Sequence, residues 1–190
     1  MPAGHYRVRI RPAKREDVRA IVRVCTTSVS DAKVVGFGAP SCETLFGDVE
    51  RLSDAWREPN RVGSKEVFVA DVDGQVVGCV TVEDMDEELE LSDIDVSPDC
   101  QGKGIGTRLV RFVEERARER RKKAVTTGTS RNAAGVPWDS FPWWLALGYR
   151  VTHEEENAWT RSIGPGVREI RMRKDLLHKG KEPEAREQTG

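Results

Sequence analysis

The 190-residue chain has no apolar run approaching the about 20 residues that a membrane crossing needs. Arg7, Arg9, Arg11, Lys14 and Arg15 interrupt its beginning, so no signal-peptide core is expected there. It has three histidines, His5, His153 and His178, none with a neighbouring ligand residue. Its four cysteines, Cys25, Cys42, Cys79 and Cys100, show no CxxC spacing. No metal centre is therefore expected, and reduced thiols in a cytoplasmic protein are the simpler reading. A net charge of −1 supplies no field that would draw nucleic acid, and the lack of an apolar run argues against a membrane partner. Aromatics are only 6%, and Tyr6 and Tyr149 are the only tyrosines, so chemistry that needs a phenol has two candidates. What remains is 33% charged and 37% hydrophobic, a balance suited to one globular domain over residues 1–178, with a polar tail, 179–190, expected to be disordered.

The most informative stretch is Ile94 to Thr107, IDVSPDCQGKGIGT. Ile94-Asp95-Val96 reads as strand, Pro98 ends it, and Leu109, Val110, Phe112, Val113 and Ala117 begin a helical pattern directly after the glycines. Gly102, Gly104 and Gly106 leave no Cβ where backbone N–H groups would line a ligand, and the helix start adds unpaired N–H groups with partial positive charge. Each glycine costs about 1 kcal/mol in chain entropy, so three at alternate positions call for a reason. The product is a phosphate or pyrophosphate site. A Walker loop is excluded, because Gly102-Lys103 lacks the GxxxxGK[ST] spacing. A dinucleotide fingerprint is excluded by Thr107 at the third glycine position and by the absence of an acid in Ala124 to Ser130.

Along the chain, Tyr6 to Arg11 alternates as a first strand, and Val18, Ile21, Val22, Cys25 and Val29 place a helix near 15–29. Residues 30–40 read as a loop, with Val34, Val35 and Phe37 outside any register. Ser41 is expected to cap a second helix carrying Leu45, Val49, Leu52 and Trp56 on one face. Glu66 to Glu83 is a hairpin turning at Asp73-Gly74. The acidic run 83–90 reads either as a solvated turn or as a negative rim for a cationic substrate. A fourth strand, Leu89 to Val96, carries the motif; its alternation puts Leu89, Leu91, Asp93 and Asp95 on one face and Glu90, Ser92, Ile94 and Val96 on the other. Neither face is purely apolar, and a bulge near Asp95 would reconcile them. A third helix, from about Gly106 to Lys123, has Arg116, Arg118, Arg120, Arg121, Lys122 and Lys123 on its polar face. Ala124 to Ser130 is a fifth strand, Trp143 to Tyr149 a short helix with a Gly148 stop, and Val151 to Trp159 and Val167 to Leu176 two further strands.

The motif resembles the acyl-CoA signature of the GNAT superfamily of N-acyltransferases, V-x-x-x-x-[QR]-x-x-G-x-[GA], on Val96, Gln101, Gly104 and Gly106. The element order covers nearly the whole chain and is similar to that family's. The resemblance implies a mixed α/β fold with a mostly antiparallel central sheet of about seven strands flanked by four helices. It also implies a bulge near Asp95 and an N-acetyltransferase moving acetyl from acetyl-CoA to a primary amine by direct attack in a ternary complex. The partners so implied are a small-molecule or peptide amine, with the protein a monomer or homodimer. An acyl-CoA-binding module without turnover is the other reading of the same loop.

For the cofactor, the backbone of Gln101, Gly102, Lys103, Gly104, Ile105, Gly106 and Thr107 would hold the pyrophosphate. The pantetheine arm would pair like a strand with Ile94, Asp95 and Val96, with the Val96 N–H holding the oxyanion. Lys103 and Arg108 are nearer to a 3′-phosphate than the distal arginines. Asn132 resembles a position that contacts the cofactor arm. Glu90, six residues before Val96, has the spacing of the basic glutamate in the histone-acetylating branch, with Asp93 and Asp95 as rivals. Trp143 and Trp144 stand where the family has Phe-Tyr. Tyr149 therefore protonates the leaving thiolate, or water does, or the thiolate leaves unaided. Phe37, Trp138 and Trp144 are candidate acceptor-pocket residues, and core packing is the competing role for the tryptophans.

Overall fold

The computed structural model describes residues 7–30 and 45–176. The expectations for Tyr6, Phe37, Ser41, Cys42, His178 and the 179–190 tail lie outside the described residues. In chain order come β1 (Val8–Pro12), α1 (Val18–Ser30), α2 (Val49–Ala55), β2 (Trp56–Arg57), β3 (Arg61–Val62), β4 (Lys65–Val72), β5 (Gln75–Asp84), β6 (Glu88–Val96), α3 (Ile105–Glu119), β7 (Ala124–Arg131), α4 (Phe141–Ala146), β8 (Arg150–Glu155), α5 (Ala158–Ile163) and β9 (Arg168–Asp175). The fold is mixed α/β, and β6–β7 is the one parallel pairing among the described strands.

The sheet runs β2-β3-β4-β5-β6-β7-β9-β8, with β1 also on β4. The expected seven long strands are present, and three small elements are added. Strands β2 and β3 have two residues each, too short for any periodicity to show. Helix α5 replaces the end of the strand expected to reach Trp159, because Asn157 caps it: its side chain accepts from the Thr160 N–H at 3.0 Å. Helix α2 starts after Asp48, which accepts from Arg51 N–H at 2.9 Å, and Trp56 leaves it as buried strand.

Each face of the sheet has its own core. Phe68, Val80, Val82, Leu89 and Leu91 meet Leu109, Val110 and Val113 of α3 and Trp144 of α4 on one side. Val67, Val69, Val76 and Cys79 meet Ile21 and Val24 of α1 and Leu52 of α2 on the other. Gly78 of β5 fixes where α3 begins: a Cβ there would stand 3.1 Å from the Asp95 carbonyl and 3.3 Å from Leu109 Cδ1. At its other end α3 is tied to the sheet by ion pairs. Buried Glu66 takes Arg120 at 2.8 Å and Arg116 at 3.7 Å, and Asp84 takes Arg120 at 2.9 Å as well as Lys122. The basic stripe on α3 is therefore a structural lock for these residues. The acidic run is largely neutralised from α3, β9 and the segment between α3 and β7, since Glu87 pairs with Lys123, Glu88 with Arg173 and Glu90 with Arg171.

Candidate active site

Strands β6 and β7 pair only over Glu88–Leu91 and Ala124–Thr127, and beyond Leu91 they separate. Thr127 closes the fork by donating its hydroxyl to the Leu91 carbonyl at 3.0 Å. On its other side β6 continues along β5 to Val96. Ser97 N–H donates to the Val77 carbonyl at 2.8 Å, so that position is a hydrogen-bonded pair of the antiparallel ladder. The alternation of such ladders then makes Val96–Gly78 and Ile94–Val80 non-hydrogen-bonded pairs. The backbone N–H and C=O groups of Ile94 and Val96 accordingly face away from β5, into the gap. Gln101 reaches back and donates Nε2 to the Val96 carbonyl at 3.0 Å, which satisfies the acceptor and leaves the Val96 N–H directed into the gap.

The register of β5 on β6 shifts between Thr81–Asp93 and Val82–Leu91, so Ser92 is the bulged residue. The expected bulge lies at Ser92 rather than Asp95, and the consequence for the faces is large. Leu89 and Leu91 before it, and Ile94 and Val96 after it, all point to the α3 side. Glu90 before it, and Asp93 and Asp95 after it, all point to the α1 side, so Glu90 does not share a face with Ile94.

Past Val96 the chain makes a tight turn over Pro98–Cys100 and enters the glycine loop. Gly102 and Gly104 have φ of +71° and +77°, the left-handed region, and Gly104 is the N-cap of α3. Gly106 packs against the other side of the mouth: a Cβ there would make ordinary contacts, 3.4 Å from Trp143 Cζ2 and 3.9 Å from Val96 Cγ2. Trp143 also donates its indole N–H to Thr107 Oγ1 at 3.4 Å. Phe37, Trp138 and Trp144 are the aromatics expected at the acceptor pocket; of the adjacent tryptophan pair, the one that stands beside the Val96–Gly106 mouth is Trp143, not Trp144. Trp144 is 2% exposed, its ring centroid 4.6 Å from the tilted ring of Trp143 and 5.0 Å from Tyr149 in an edge-to-face contact, and it belongs to the core.

Tyr149 is not placed to protonate a thiolate. It is 3% exposed, its hydroxyl makes no well-formed hydrogen bond to any described residue although Glu114 lies near it, and Lys174 lies over its ring at 5.7 Å. Burial, and then the nearby charge of Glu114, hold its phenol far above the ordinary value. Glu114 is eight residues beyond Gly106 on α3, about 12 Å along the axis at 1.5 Å per residue, so the hydroxyl is remote from the mouth. Asn132 spends its side-chain oxygen on its own loop, accepting from Ala134 N–H at 3.0 Å and Val136 N–H at 2.9 Å. Trp138 is half-buried, and its backbone N–H donates to the Ser130 carbonyl at 2.8 Å.

The three carboxylates on the α1 side differ in their partners. Glu90 Oε2 accepts from the Thr126 hydroxyl and from Arg171 at 2.7 Å, and Arg171 also holds Glu169 at 2.8 Å. Asp93 accepts from Thr81 at 2.6 Å and faces Lys65 at 3.5 Å. Asp95 accepts from Ser28 of α1 and lies beside Cys25 and Cys79, whose sulfurs are 3.5 Å apart. Burial pushes its carboxyl up to about 6, against the opposing Ser28 hydrogen bond. The contact with Cys79, then burial, hold the Cys25 thiol far above its usual range, so it stays protonated.

A sheet splayed beside a glycine-capped helix, with main-chain groups lining the gap, defines a fold that takes an extended, phosphate-bearing ligand. Residues 30–136 match the family model described as the acetyltransferase (GNAT) family, and the chain belongs to that family. It is an acetyl-CoA-dependent acetyltransferase. Among solved structures it is similar to the PaiA N-acetyltransferase of Thermoplasma acidophilum in complex with coenzyme A, with a TM-score of 0.67 and 16% identity, covering 89% of this chain and 99% of that one. It is also similar to yncA of Salmonella typhimurium with its cofactor acetyl-CoA, with a TM-score of 0.65 and 23% identity over 94% and 99% of the two chains. A third is the ribosomal-protein-alanine N-acetyltransferase of Brucella melitensis, with a TM-score of 0.65 and 24% identity over 88% and 99%. No curated protein matches the sequence significantly.

Proposed function

We propose that this acetyltransferase moves the acetyl group of acetyl-CoA to a primary amine by direct attack within a ternary complex. The observation that carries the reading is the gap between β6 and β7, edged by the outward-facing main-chain groups of Ile94 and Val96. An amide-bearing pantetheine arm fits there as a partial strand. The turn residues Gly102 to Thr107, with the open N–H groups at the start of α3, suit the pyrophosphate. Acetyl-CoA supplies the activated acyl group when bound.

The roles of the chain's own residues follow from their positions. The Val96 N–H is free to donate to a thioester oxygen, and that hydrogen bond strengthens as the oxygen gains charge. Trp143 walls the mouth on the α3 side. The acceptor approaches from the α1 side, where the carboxylates project. There a base takes one proton from the ammonium, and the freed lone pair forms the C–N bond. The C–S bond breaks with its electron pair passing to sulfur. The remaining excess proton on nitrogen passes to the thiolate or to water. Since Tyr149 is buried away from the mouth, the thiolate departs without a protein acid, which a thiol with pKa near ~8.5 permits.

Thiol release from acetyl-CoA tests the reading, with alaninamide, Nα-acetyl-lysinamide and spermidine as acceptors. Alaninamide is included because one structural neighbour is named for ribosomal-protein alanine. Amine-dependent release, lost in Gly104→Glu together with acetyl-CoA binding by calorimetry, is the expected result. Tight acetyl-CoA binding with no release for any amine would favour a binding module, and unchanged affinity in folded Gly104→Glu would remove the loop from the site.

A further inference from the structure

We propose that Asp95, held by Ser28, is the group that receives the proton of the acceptor ammonium; this rests on the amine-acetylating reading above. Among the described residues, the buried carboxylates come with cations. Asp17 has Arg11, Glu66 has three arginines, Glu114 has Lys174 and Arg118, and Glu169 shares Arg171 with Glu90. Asp95 makes no ion pair with any described residue. Asp95 is half-buried, and a carboxylate drawn part-way out of water without a cation is costly to keep ionised; such groups mark sites where a ligand supplies the missing charge. The chemistry that would complete it is a cationic amine.

Its position suits the task. Asp95 precedes Val96, so the carboxylate and the N–H assigned to the oxyanion belong to consecutive residues, the carboxylate on the α1 side and the N–H directed into the gap. It lies on the α1 side with Glu90 and Asp93, but each of those already faces a cation. Among the described residues, the groups facing Asp95 are Ser28 and Cys25 from α1, Cys79 from β5 and Asp93 from its own strand. None is a cation, and the two thiols stay protonated, so the carboxylate is the proton acceptor of the set. The ammonium transfers one proton to an Asp95 oxygen, directly or through one water, and keeps the lone pair for the thioester carbon. Asp95 returns that proton to solvent after the amide leaves.

The test combines kinetics with a titration that needs no turnover. With alaninamide as acceptor, kcat/KM should carry an acidic limb near pH 6. Asp95→Asn should lose that limb and drop kcat by about 100-fold or more, with unchanged acetyl-CoA affinity, whereas Glu90→Gln keeps the limb. Ser28→Ala removes a donor to the ionised form and should move the limb to higher pH, which loss of packing alone would not do. Asp95→Asn within about threefold of wild type, or a limb lost only in Glu90→Gln, would overturn the assignment. If the wild type binds acetyl-CoA but acetylates none of the three amines, the amine-transfer reading falls by itself. Carboxyl 13C NMR of Asp95 then still decides its proton affinity: titration near pH 6, raised by Ser28→Ala, supports the inference, and titration below about pH 4.5 overturns it.

Discussion

Replacing Asp95 by Asn should make the protein more stable at neutral pH, in a pH-dependent way. The folded-state carboxyl sits at about 6 against an ordinary 3.8. An acid whose folded value is raised binds more protons folded than unfolded between those two values, so stability falls as pH rises through that window. The difference of roughly 2 pH units corresponds to about 3 kcal/mol once pH exceeds 7, and to only about 1 kcal/mol at pH 4.5. Asn keeps an oxygen to accept from Ser28 and carries no charge, so it escapes this cost. For a chain of this size each kcal/mol moves the midpoint by about 2–4 °C, giving a gain of about 6–12 °C at pH 7.5 and a much smaller one at pH 4.5. Thermal or urea unfolding of both proteins at the two pH values measures it. A variant less stable than wild type at pH 7.5, or a gain of equal size at both values, would refute the idea that a half-buried charge without a cation stands there.

Two further outcomes concern the aromatic cluster. Tyr149→Phe should leave turnover unchanged and stability equal or up to about 1 kcal/mol higher, because the lost hydroxyl is buried without a well-formed hydrogen bond to any described residue; steady-state kinetics with urea melts would show it, and a large fall in kcat would restore the tyrosine as an acid. Trp144→Ala should cost about 3–5 kcal/mol in unfolding experiments while leaving the acceptor KM nearly unchanged in the surviving folded enzyme, since the ring is 2% exposed inside the core.

The glycine loop was legible because its requirements are local. Positive φ at Gly102 and Gly104 and the start of α3 follow from a few consecutive residues. The long strands were legible from alternation, and the hairpin from Asp73-Gly74. The ordering of the carboxylates was not, because one extra residue at Ser92 reverses every side chain after it, and a bulge of one residue leaves no mark on composition. The two adjacent tryptophans had the same difficulty. Consecutive helical residues point about 100° apart, and only the direction of α4 against α3 decides that Trp143 meets Gly106 while Trp144 is buried. The partners of Glu90 come from β7 and β9, 36 and 81 residues away, beyond any local pattern.

Helix α3 has a consequence for how such a site can drift. Its apolar side rests on Leu89 and Leu91 of one branch of the fork and belongs to the same core as Val125, Ile170 and Met172 of the other. The helix is thus a wedge laid across the split, and the bulk of Leu109, Val110 and Val113 helps set how far the two branches stand apart. Side chains that never meet a ligand therefore act as a gauge on the width of its slot. Trading volume among them would loosen or tighten the grip on the acyl donor while every residue of the glycine turn stayed the same.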